Sequence, residues 1–317
     1  MKAIRLHEFG GADNFRIDEI EKPIPSADEV LIKTAAAGIN YADIMLRQNK
    51  YLFTPELPFT LGFEVAGTIE AVGENVKHFA VGQRVLATMK GGGYAEYAVA
   101  NAQTLVPIPD DLGFGEATAL LVQGLTALGL LETLKAGQTI LVHAAAGGVG
   151  SLLVQLAKIK GATVIGTASS AEKLALVKEL GADFGVNYTE SDWLDQILKI
   201  TDNKGVDIII EMIGGEIGKS NFKILGVRGA MHIYGAVSGQ DFQISALSLL
   251  GKMQTVTGYN LNLETRENMV KFTKELISYI AENRLQISVT EFSLEQAIEA
   301  HKAVEGRKTT GKVVLTV

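Results

Sequence analysis

The amino-acid sequence predicts an α/β protein whose larger part is a mostly parallel, doubly wound β-sheet with helices on both faces. Two observations lead to this fold class. Strand-like and helix-like segments alternate from residue 139 to residue 282, which is typical of sheets built from βαβ units. At the start of this region a short apolar strand, Thr139–His143, passes through small residues into a segment whose apolar side chains have helical spacing.

The small residues after that strand predict a dinucleotide phosphate site. They read AAAGGVG over Ala144–Gly150, and the helical segment Ser151–Lys160 follows. Backbone N–H groups at a helix N-terminus bind phosphate, and only very small side chains let it approach. The pattern departs from the common G-x-G-x-x-G, because Ala145 stands at the first glycine position. A turn with no ligand is the alternative, and the next strand, Thr163–Thr167, disfavours it because it lies at βαβ spacing.

The residues after that second strand favour NADP(H) over NAD. In NAD-selective sites a carboxylate about 20 residues beyond the glycines binds the ribose 2′-hydroxyl. Here Ser169 and Ser170 occupy that place, and Lys173 lies just inside the next helix. Hydroxyl and ammonium donors suit a 2′-phosphate. The alternative is a helix N-cap beside a solvated lysine, and both can hold because an N-cap position also faces an anion.

The first third of the chain predicts a compact β-rich domain. Its predicted strands are Lys2–Leu6, Glu29–Thr34, Glu64–Val72, Arg84–Ala87 and Tyr94–Val99. Between them, the segment GINYADIMLRQ predicts a turn that passes into a short helix, and Asn49–Thr60 predicts a loop rich in aromatic residues and prolines. A helical segment with few charges, 115–134, leads into the α/β region and is predicted to be largely buried.

The remaining elements predict two domains. Further helices are predicted over 149–160, 171–180, 192–200, 216–223 and 265–282, and further strands over 184–187, 206–211, 228–233 and 253–257. The tail, Ile287–Val317, breaks this rhythm with a strand, the helix Glu295–Glu305 and the closing strand Lys312–Val317, which suggests a return to the β-rich domain. We therefore predict one domain over 1–121 with 287–317 and a second over 122–286. A small substrate is expected to meet the cofactor in the cleft between two such domains.

Composition argues against several classes of function. Acidic residues outnumber basic ones by 36 to 29, a net charge of −7, which is unfavourable for a general nucleic-acid surface. No apolar run approaches the length of a membrane span, and the first residues become polar within one turn, so no signal peptide is expected. The absence of cysteine removes disulfides, thiol nucleophiles and cysteine-ligated metals, and it fits the reducing cytoplasm that we expect. The five histidines show no metal-ligand spacing.

Several motifs together resemble the medium-chain dehydrogenase/reductase superfamily, and most closely its zinc-free quinone oxidoreductase, or zeta-crystallin-like, branch. The segments that carry the resemblance are GINYAD, GFEVAG with VGENVKHFAVGQRV, GGGYAEY, AAAGGVG and TTGKVVL. It covers essentially the whole chain. It implies a GroES-like catalytic domain, a Rossmann-type NADP(H)-binding domain and a homodimer in which Thr255–Thr257 pairs across the subunits, with a protected monomeric edge as the alternative.

The resemblance also implies roles for individual residues. Asn40 matches a residue that contacts the nicotinamide region and substrate, and Tyr51 lies in a loop that supplies an aromatic wall to the substrate pocket. The residues predicted to bind the cofactor are Asn40, Thr126, Ala146, Gly147, Gly148, Val149, Ser169, Ser170, Lys173, Tyr188, Gly235 and Asn260. Among these, Lys173 and Tyr188 match residues that hold the 2′-phosphate.

The sequence departs from zinc alcohol dehydrogenases of this superfamily at the metal site. Those enzymes have a cysteine near the position of Asn40 and a G-H-E motif, whereas this chain has Gly62-Phe63-Glu64 and no cysteine. Without a Lewis acid the substrate must already be electrophilic, as quinones and α,β-unsaturated carbonyls are. The predicted catalytic groups are the Asn40 amide and the hydroxyls of Tyr41 and Tyr51, with packing in the pocket wall as the alternative. Asp43 and Glu64 are predicted to be structural.

Three functions are therefore considered. The first is an NADPH-dependent reductase of quinones or enones. The second is a non-catalytic NADPH-binding protein with a structural or regulatory role. The third, a zinc-free alcohol dehydrogenase, is disfavoured because no group in the chain is suited to activate an alcohol oxygen.

Overall fold

The computed structural model describes residues 1–317 and divides the chain into two compact units. Unit 1 comprises Met1–Val122 and Ile287–Val317, and unit 2 comprises Gln123–Gln286. The division lies one residue from the predicted boundary. Unit 1 is discontinuous in sequence, because the chain leaves it after Val122 and returns to it at Ile287. The predicted α/β class is confirmed.

Unit 1 is rich in β-structure. Its strands are β1 (Lys2–Leu6), β2 (Phe15–Glu19), β3 (Glu29–Ile39), β4 (Phe59–Thr60), β5 (Glu64–Val72), β6 (Arg84–Thr88), β7 (Tyr97–Asn101), β8 (Leu105–Pro107), β15 (Val289–Ser293) and β16 (Lys312–Thr316). Its helices are α1 (Tyr41–Arg47), α2 (Phe114–Ala119) and α10 (Ala297–Glu305). One sheet has the order β15-β16-β3-β5-β6-β8 with β7 also on β3, and a smaller one has the order β2-β1-β4.

The long strand β3 organises unit 1. Most of its residues are buried, because β5, β7 and β16 all pair with it. The antiparallel registers Val313↔Ile39 and Ala37↔Val65 bring the end of β3 beside the beginnings of β16 and β5. The residues that follow β3 and the residues that begin β5 and β16 therefore lie together, although they are far apart in sequence.

Unit 2 contains a six-stranded parallel sheet. Its strands are β9 (Thr139–Val142), β10 (Thr163–Ala168), β11 (Phe184–Asn187), β12 (Val206–Glu211), β13 (Leu225–Ile233) and β14 (Thr255–Gly258). Its helices are α3 (Leu125–Leu130), α4 (Gly148–Ile159), α5 (Ala171–Glu179), α6 (Trp193–Ile200), α7 (Gly215–Ile224), α8 (Ala246–Lys252) and α9 (Arg266–Ala281). The order β11-β10-β9-β12-β13-β14 places the change of winding direction beside β9. Ligands of doubly wound sheets bind at the carboxyl ends of the strands at this point.

The apolar pattern accounts for the sheet of unit 2. The central strands carry continuous apolar runs such as Ile140–Val142 and Ile208–Ile210, which are buried as expected for a parallel sheet covered on both faces. Helix α4 is buried from Gly150 to Ala157, which includes the predicted apolar positions Leu152 and Leu156. No helix in the structure is both long enough and apolar enough to cross a membrane.

Several predicted elements differ from the structure. The strand predicted over 94–99 spans Tyr97–Asn101, because Tyr94 instead bonds to the loop carbonyl of Leu61. The helix predicted over 115–134 is interrupted by a wider π-helical turn, Leu120–Gly124, between α2 and α3. Strands β2, β4 and β8 and helix α8 were not predicted, and each is short.

Candidate functional site

The turn between β9 and α4 forms a helix N-terminus without a side-chain cap. Gly147 is the N-cap residue and offers no side chain to the N–H groups of the first turn of α4. Ala144 adopts φ +49°. Residues other than glycine rarely adopt this backbone conformation, and those that do are often found at functional sites. The Ala145 N–H donates to the carbonyl of Thr167 at 2.9 Å, which ties the turn to β10. The first-turn N–H groups therefore need an acceptor from outside the helix.

Close packing against backbone requires glycine at Gly150, whereas a side chain at Gly148 would displace the end of the Gln123 side chain. A Cβ on Gly150 would lie 2.3 Å from the carbonyl oxygen of Ala144, and one on Gly148 would lie 2.2 Å from the Gln123 amide nitrogen. The Oε1 atom of Gln123 is buried and has no hydrogen-bond partner. A donor group of a bound cofactor would satisfy this acceptor. The turn and its surroundings therefore fit a dinucleotide, and the role of Gln123 was not predicted from sequence.

The structure brings together the residues predicted at the 2′-phosphate. Ser169 and Ser170 follow β10 directly, and the hydroxyl of Ser170 caps α5 by accepting from the N–H of Lys173 at 3.3 Å. The Tyr188 N–H donates to the last carbonyl of β10 at 3.2 Å, so it lies at the same edge. The N-cap role considered for Ser170 is thus confirmed, and the phosphate role remains a prediction. The nearby carboxylate of Glu172 is exposed in the first turn of α5.

Residues predicted along the rest of the cofactor also belong to unit 2. Gly235 follows β13, and Asn260 follows β14 with its side-chain oxygen accepting from Asn262 N–H at 3.0 Å. Thr126 is buried in α3. An open hollow of about 440 Å³ is lined by Ile233, Gly258, Tyr259, Asn260, Leu263 and Glu264. The carboxyl edge of the sheet therefore carries the turn, both serines, Tyr188, Gly235 and Asn260.

A buried polar network lies at the ends of the central strands of unit 2. The His143 ring contacts the Thr167 hydroxyl at 2.9 Å and the Asn221 side-chain oxygen at 2.8 Å. Asn221 donates to Glu211, whose other carboxylate oxygen accepts two backbone N–H groups of the turn after β12, one of them from Gly214 at 2.7 Å. All four side chains are buried and hydrogen-bonded, so the network holds β9, β10 and β12 in register at the edge where the phosphate turn begins.

In unit 1, Asn40 belongs to a buried ionic cluster. Its Nδ2 donates to Glu64 Oε1 at 2.8 Å, and its Oδ1 accepts from Lys312 Nζ at 3.1 Å. Glu64 and Lys312 form an ion pair in which neither side chain is exposed. Asn40 itself is 7% exposed. The sequence did not predict Lys312 as part of the site. The signal that could have found it is a lysine at the start of the otherwise apolar strand KVVLTV.

Asp43 completes the polar environment of Asn40. Its carboxylate accepts from the Asn40 backbone N–H at 2.8 Å, so the predicted role as an acceptor at the start of α1 is confirmed. Burial raises the pKa of Asp43 from 3.8 to about 7. The bonds to backbone N–H groups and the charge of Lys312 lower it, and Glu64 raises it.

The two predicted tyrosines have different surroundings. Burial raises the pKa of the Tyr41 hydroxyl, and the nearby charges that act on it are those of Glu305, Arg307 and Arg47 rather than those around Asn40. The Tyr51 ring packs against Phe53 and Phe63, with centroids 5.7 and 5.5 Å apart. The Tyr51 ring is therefore packed against two aromatic neighbours, and both its place in a pocket wall and the catalytic roles of the two hydroxyls remain predictions.

The titratable side chains form no metal site. The structure contains no group of three or more His, Cys, Asp or Glu side chains placed to hold a metal ion. The segment Gly62-Phe63-Glu64 presents only a carboxylate, which is engaged with Lys312. Of the five histidines, His143 and His301 are buried, and each bonds to a protein partner rather than to a cluster of ligands.

Known protein families match both units. A profile described as "Alcohol dehydrogenase GroES-like domain" matches residues 26–110, and one described as "Zinc-binding dehydrogenase" matches residues 148–275. The first lies in unit 1 and the second in unit 2. The name of the second profile describes its family and does not assign zinc to this chain.

Individual relatives match over nearly the full length. The quinone oxidoreductase of Mus musculus is 35% identical over 324 residues, which cover 99% of this chain and 97% of that protein. A 2-haloacrylate reductase of a Burkholderia species is 33% identical, with 98% and 97% covered. The structure of Escherichia coli quinone oxidoreductase in complex with NADPH superposes with a TM-score of 0.94 at 31% identity and covers 100% of both chains. The chain therefore belongs to the medium-chain dehydrogenase/reductase superfamily, in its zeta-crystallin-like quinone oxidoreductase branch.

Proposed function

We propose that this protein is an NADPH-dependent reductase that transfers hydride to a quinone or an α,β-unsaturated carbonyl compound without a metal ion. The observation that carries the proposal is the carboxyl edge of the six-stranded sheet. There the uncapped N-terminus of α4 lies beside the end of β10, which is followed by Ser169, Ser170 and, in the first turn of α5, Lys173. The relatives support it, because the E. coli structure holds NADPH and the mouse and Burkholderia proteins are named for quinone and haloacrylate reduction.

The residues of unit 2 would hold the cofactor along its length. The backbone of Ala146–Val149 would bind the pyrophosphate, since the first turn of α4 has N–H groups to donate. The 2′-phosphate would be bound by Ser169, Ser170, Lys173 and Tyr188, and the nicotinamide half by Thr126, Gly235 and Asn260. When bound, NADPH supplies a hydride from its nicotinamide ring.

The substrate groups would come from unit 1. Asn40 is the strongest candidate, because its carboxamide is buried, is held by two charged partners and keeps a second N–H on Nδ2. That N–H would donate to the oxygen on which negative charge develops as hydride is accepted. The hydroxyls of Tyr41 and Tyr51 are proposed to assist in binding the same class of substrate.

The chain lacks the side chains with which zinc relatives hold a catalytic metal ion. Alcohol oxidation by zinc relatives uses a Lewis acid held by cysteine and histidine. This chain has no cysteine, and phenylalanine stands in the middle of Gly62-Phe63-Glu64. A quinone or enone accepts hydride without that assistance, so binding, orientation and exclusion of water would supply most of the rate.

The first experiment compares NADPH with NADH. We expect NADPH to bind at least tenfold more tightly, because charge-assisted bonds to the 2′-phosphate are available only to it. Titration of nicotinamide fluorescence measures both affinities. Equal affinities would contradict the NADPH assignment.

The second experiment separates catalysis from mere binding. NADPH consumption is followed with a panel of quinones and a panel of alkenals, enones and 2-haloacrylates. Turnover that falls on the order of 10²-fold in Asn40→Ala supports the reductase. The exposed Asn75, in the same unit, provides the matched control Asn75→Ala. Tight NADPH binding with no turnover of any compound would favour the non-catalytic alternative.

We further propose that the chain forms a homodimer through β14 and acts in the cytoplasm. Strand β14 is an edge strand, and the neighbouring helix α8 exposes Leu247 by 78% and Leu250 by 75%, which is unfavourable for a solvated edge. Sedimentation should give twice the mass of the 33.9 kDa chain, and Leu247→Glu with Leu250→Glu should give the monomer. The cysteine-free sequence supports the location, which cell fractionation would test.

A further inference from the structure

The Glu64–Lys312 ion pair calls for an explanation other than stability. Both side chains are completely removed from solvent. Removing two charges from water costs about as much as their attraction returns, so buried pairs contribute little net stability and are often better replaced by apolar residues. The contacts of the ion pair indicate a role other than stability.

The hydrogen-bonding capacity of the pair is directed at the segment that carries Asn40. Lys312 Nζ donates to Glu64, to Asn40 Oδ1 at 3.1 Å and to the carbonyl of Ile39 at 3.4 Å, which accounts for its three hydrogens. Glu64 Oε1 accepts from Lys312 and from Asn40 Nδ2, and Oε2 accepts from Val122 N–H at 3.3 Å. One cation and one anion thus hold the two ends of a single carboxamide.

This arrangement determines which way the carboxamide faces. A carboxamide can turn over by 180° about its last bond and exchange its oxygen with its nitrogen at little cost when its partners are neutral hydroxyls or water. An ammonium group only donates and a carboxylate only accepts. The reversed orientation of Asn40 would set Nδ2 against Lys312 and Oδ1 against Glu64, and both contacts would be repulsive.

We propose that Glu64 and Lys312 are positioning residues that lock the Asn40 carboxamide in one orientation, so that the second N–H of Nδ2 is the group Asn40 offers to its ligand. This inference rests on the proposed function, because it assumes that Asn40 donates to the substrate oxygen. In this proposal Glu64 and Lys312 determine that Asn40 presents a hydrogen-bond donor rather than an acceptor, although neither side chain touches the substrate.

The backbone provides the space that the pair needs. A Cβ on Gly38 would lie 2.5 Å from Glu64 Oε1 and 2.8 Å from Lys312 Nζ. Gly38 is opposite Val314 in the register of β3 with β16. Any larger residue at this position of β3 would displace the charged groups. Glycine at position 38 therefore leaves the space in which the ion pair contacts Asn40.

A double-mutant cycle tests the proposal. The pair variant Glu64→Gln with Lys312→Met removes both charges at nearly constant volume and leaves no buried unpaired ion. We expect its kcat to fall about tenfold with unchanged NADPH affinity, and to fall no further when the same changes are made in Asn40→Ala. Equal losses in both backgrounds would mean a general structural effect and would overturn the proposal.

The matched control removes a second lysine–glutamate pair that involves the same strand. Lys22 and Glu70 of β5 pair at 2.7 Å on the surface of unit 1, away from the buried cluster. Lys22→Met with Glu70→Gln is expected to leave kcat within a factor of two. A comparable loss of kcat in this control would show that the pair variant reports on strand β5 rather than on Asn40.

A spectroscopic measurement makes the test independent of turnover and of the folding of the pair variant. The side-chain amide of Asn40 is identified in the ¹H–¹⁵N spectrum of the holoprotein by its disappearance in Asn40→Ala. We expect one Nδ2 proton far downfield and protected from exchange, because it is bonded to a carboxylate. Averaged, rapidly exchanging protons would overturn the positioning role. Failure to reduce any substrate would contradict the proposed function. The spectrum would still show whether the Asn40 carboxamide is held in one orientation.

Discussion

Asp43 allows a quantitative prediction about stability and pH. Its carboxyl group is completely buried beside Asn40, and burial raises its pKa from 3.8 to about 7. Between these two values the folded protein holds a proton that the unfolded chain has released. The free energy of unfolding should therefore fall as pH rises from about 4 to 7, by about 1.4 kcal/mol per pH unit and about 4 kcal/mol in total from this group.

A second buried group acts in the opposite direction. Burial, and to a smaller extent the charge of Arg47, lowers the pKa of His301 from 6.5 to about 3. The unfolded chain then binds the extra proton, so stability rises with pH over this range by about 1.4 kcal/mol per pH unit. From about pH 4 to 6.5 the contributions of Asp43 and His301 nearly cancel, and their combined effect on the wild-type profile is nearly flat.

The perturbation is therefore Asp43→Asn, which keeps an acceptor for the Asn40 N–H and removes one of the two opposing groups. Relative to wild type, its free energy of unfolding should gain about 3 kcal/mol between pH 4 and 6.5. His301→Gln should show the opposite slope. The exposed Asp111 provides the control Asp111→Asn, whose profile should parallel that of wild type.

Equilibrium unfolding in urea at half-unit pH intervals measures these slopes. The signal should be far-ultraviolet circular dichroism, because the one tryptophan, Trp193, belongs to unit 2 whereas Asp43 belongs to unit 1. Parallel profiles for Asp43→Asn and wild type would refute the reasoning, since they would mean that Asp43 releases its proton at the same pH in both states.

Three further outcomes are expected. Lys173→Met should weaken NADPH binding at least tenfold and leave NADH binding unchanged. Lys178→Met, on the exposed face of the same helix, should change the affinity for neither cofactor. An equal loss of affinity for both cofactors in a fluorescence titration would contradict the 2′-phosphate role of Lys173. Gly150→Ala should weaken NADPH binding and lower the melting temperature, because its Cβ would lie 2.3 Å from the Ala144 carbonyl oxygen. An unchanged affinity and melting temperature would show that the turn tolerates a side chain. Gly38→Ala should lower kcat more than NADPH affinity, and an unchanged kcat would separate this glycine from the Asn40 cluster.

The carboxyl edge of the sheet in unit 2 was largely predictable. The turn residues, both serines, Tyr188, Gly235 and Asn260 all follow strands that were predicted from the sequence. In a parallel sheet the carboxyl ends of all strands meet at one edge, so identifying the strands is enough to group these residues. The buried network of His143, Glu211 and Asn221 was missed, because a polar residue at the end of an apolar strand resembles the start of a loop.

The polar cluster around Asn40 was only partly predictable. The motif that contains Asn40 indicated its importance, and Asp43 was correctly placed at the start of a helix because an acceptor three residues after an N-cap is a local feature. Lys312 was not predicted, since a lysine at the first position of a strand is normally solvated. Its partner Glu64 is 248 residues away in sequence.

The features that depend on local pattern were therefore predictable without a structure. These are the alternation of strands and helices, the small-residue turn, the hydroxyls and lysine after the second strand, and the absence of cysteine. Only the tertiary structure decided that Asn40 lies between a buried carboxylate and a buried ammonium group. The physical reason is that hydropathy describes the solvation of one segment at a time. The partner that makes a buried charge tolerable arrives from a distant segment when the strands pair.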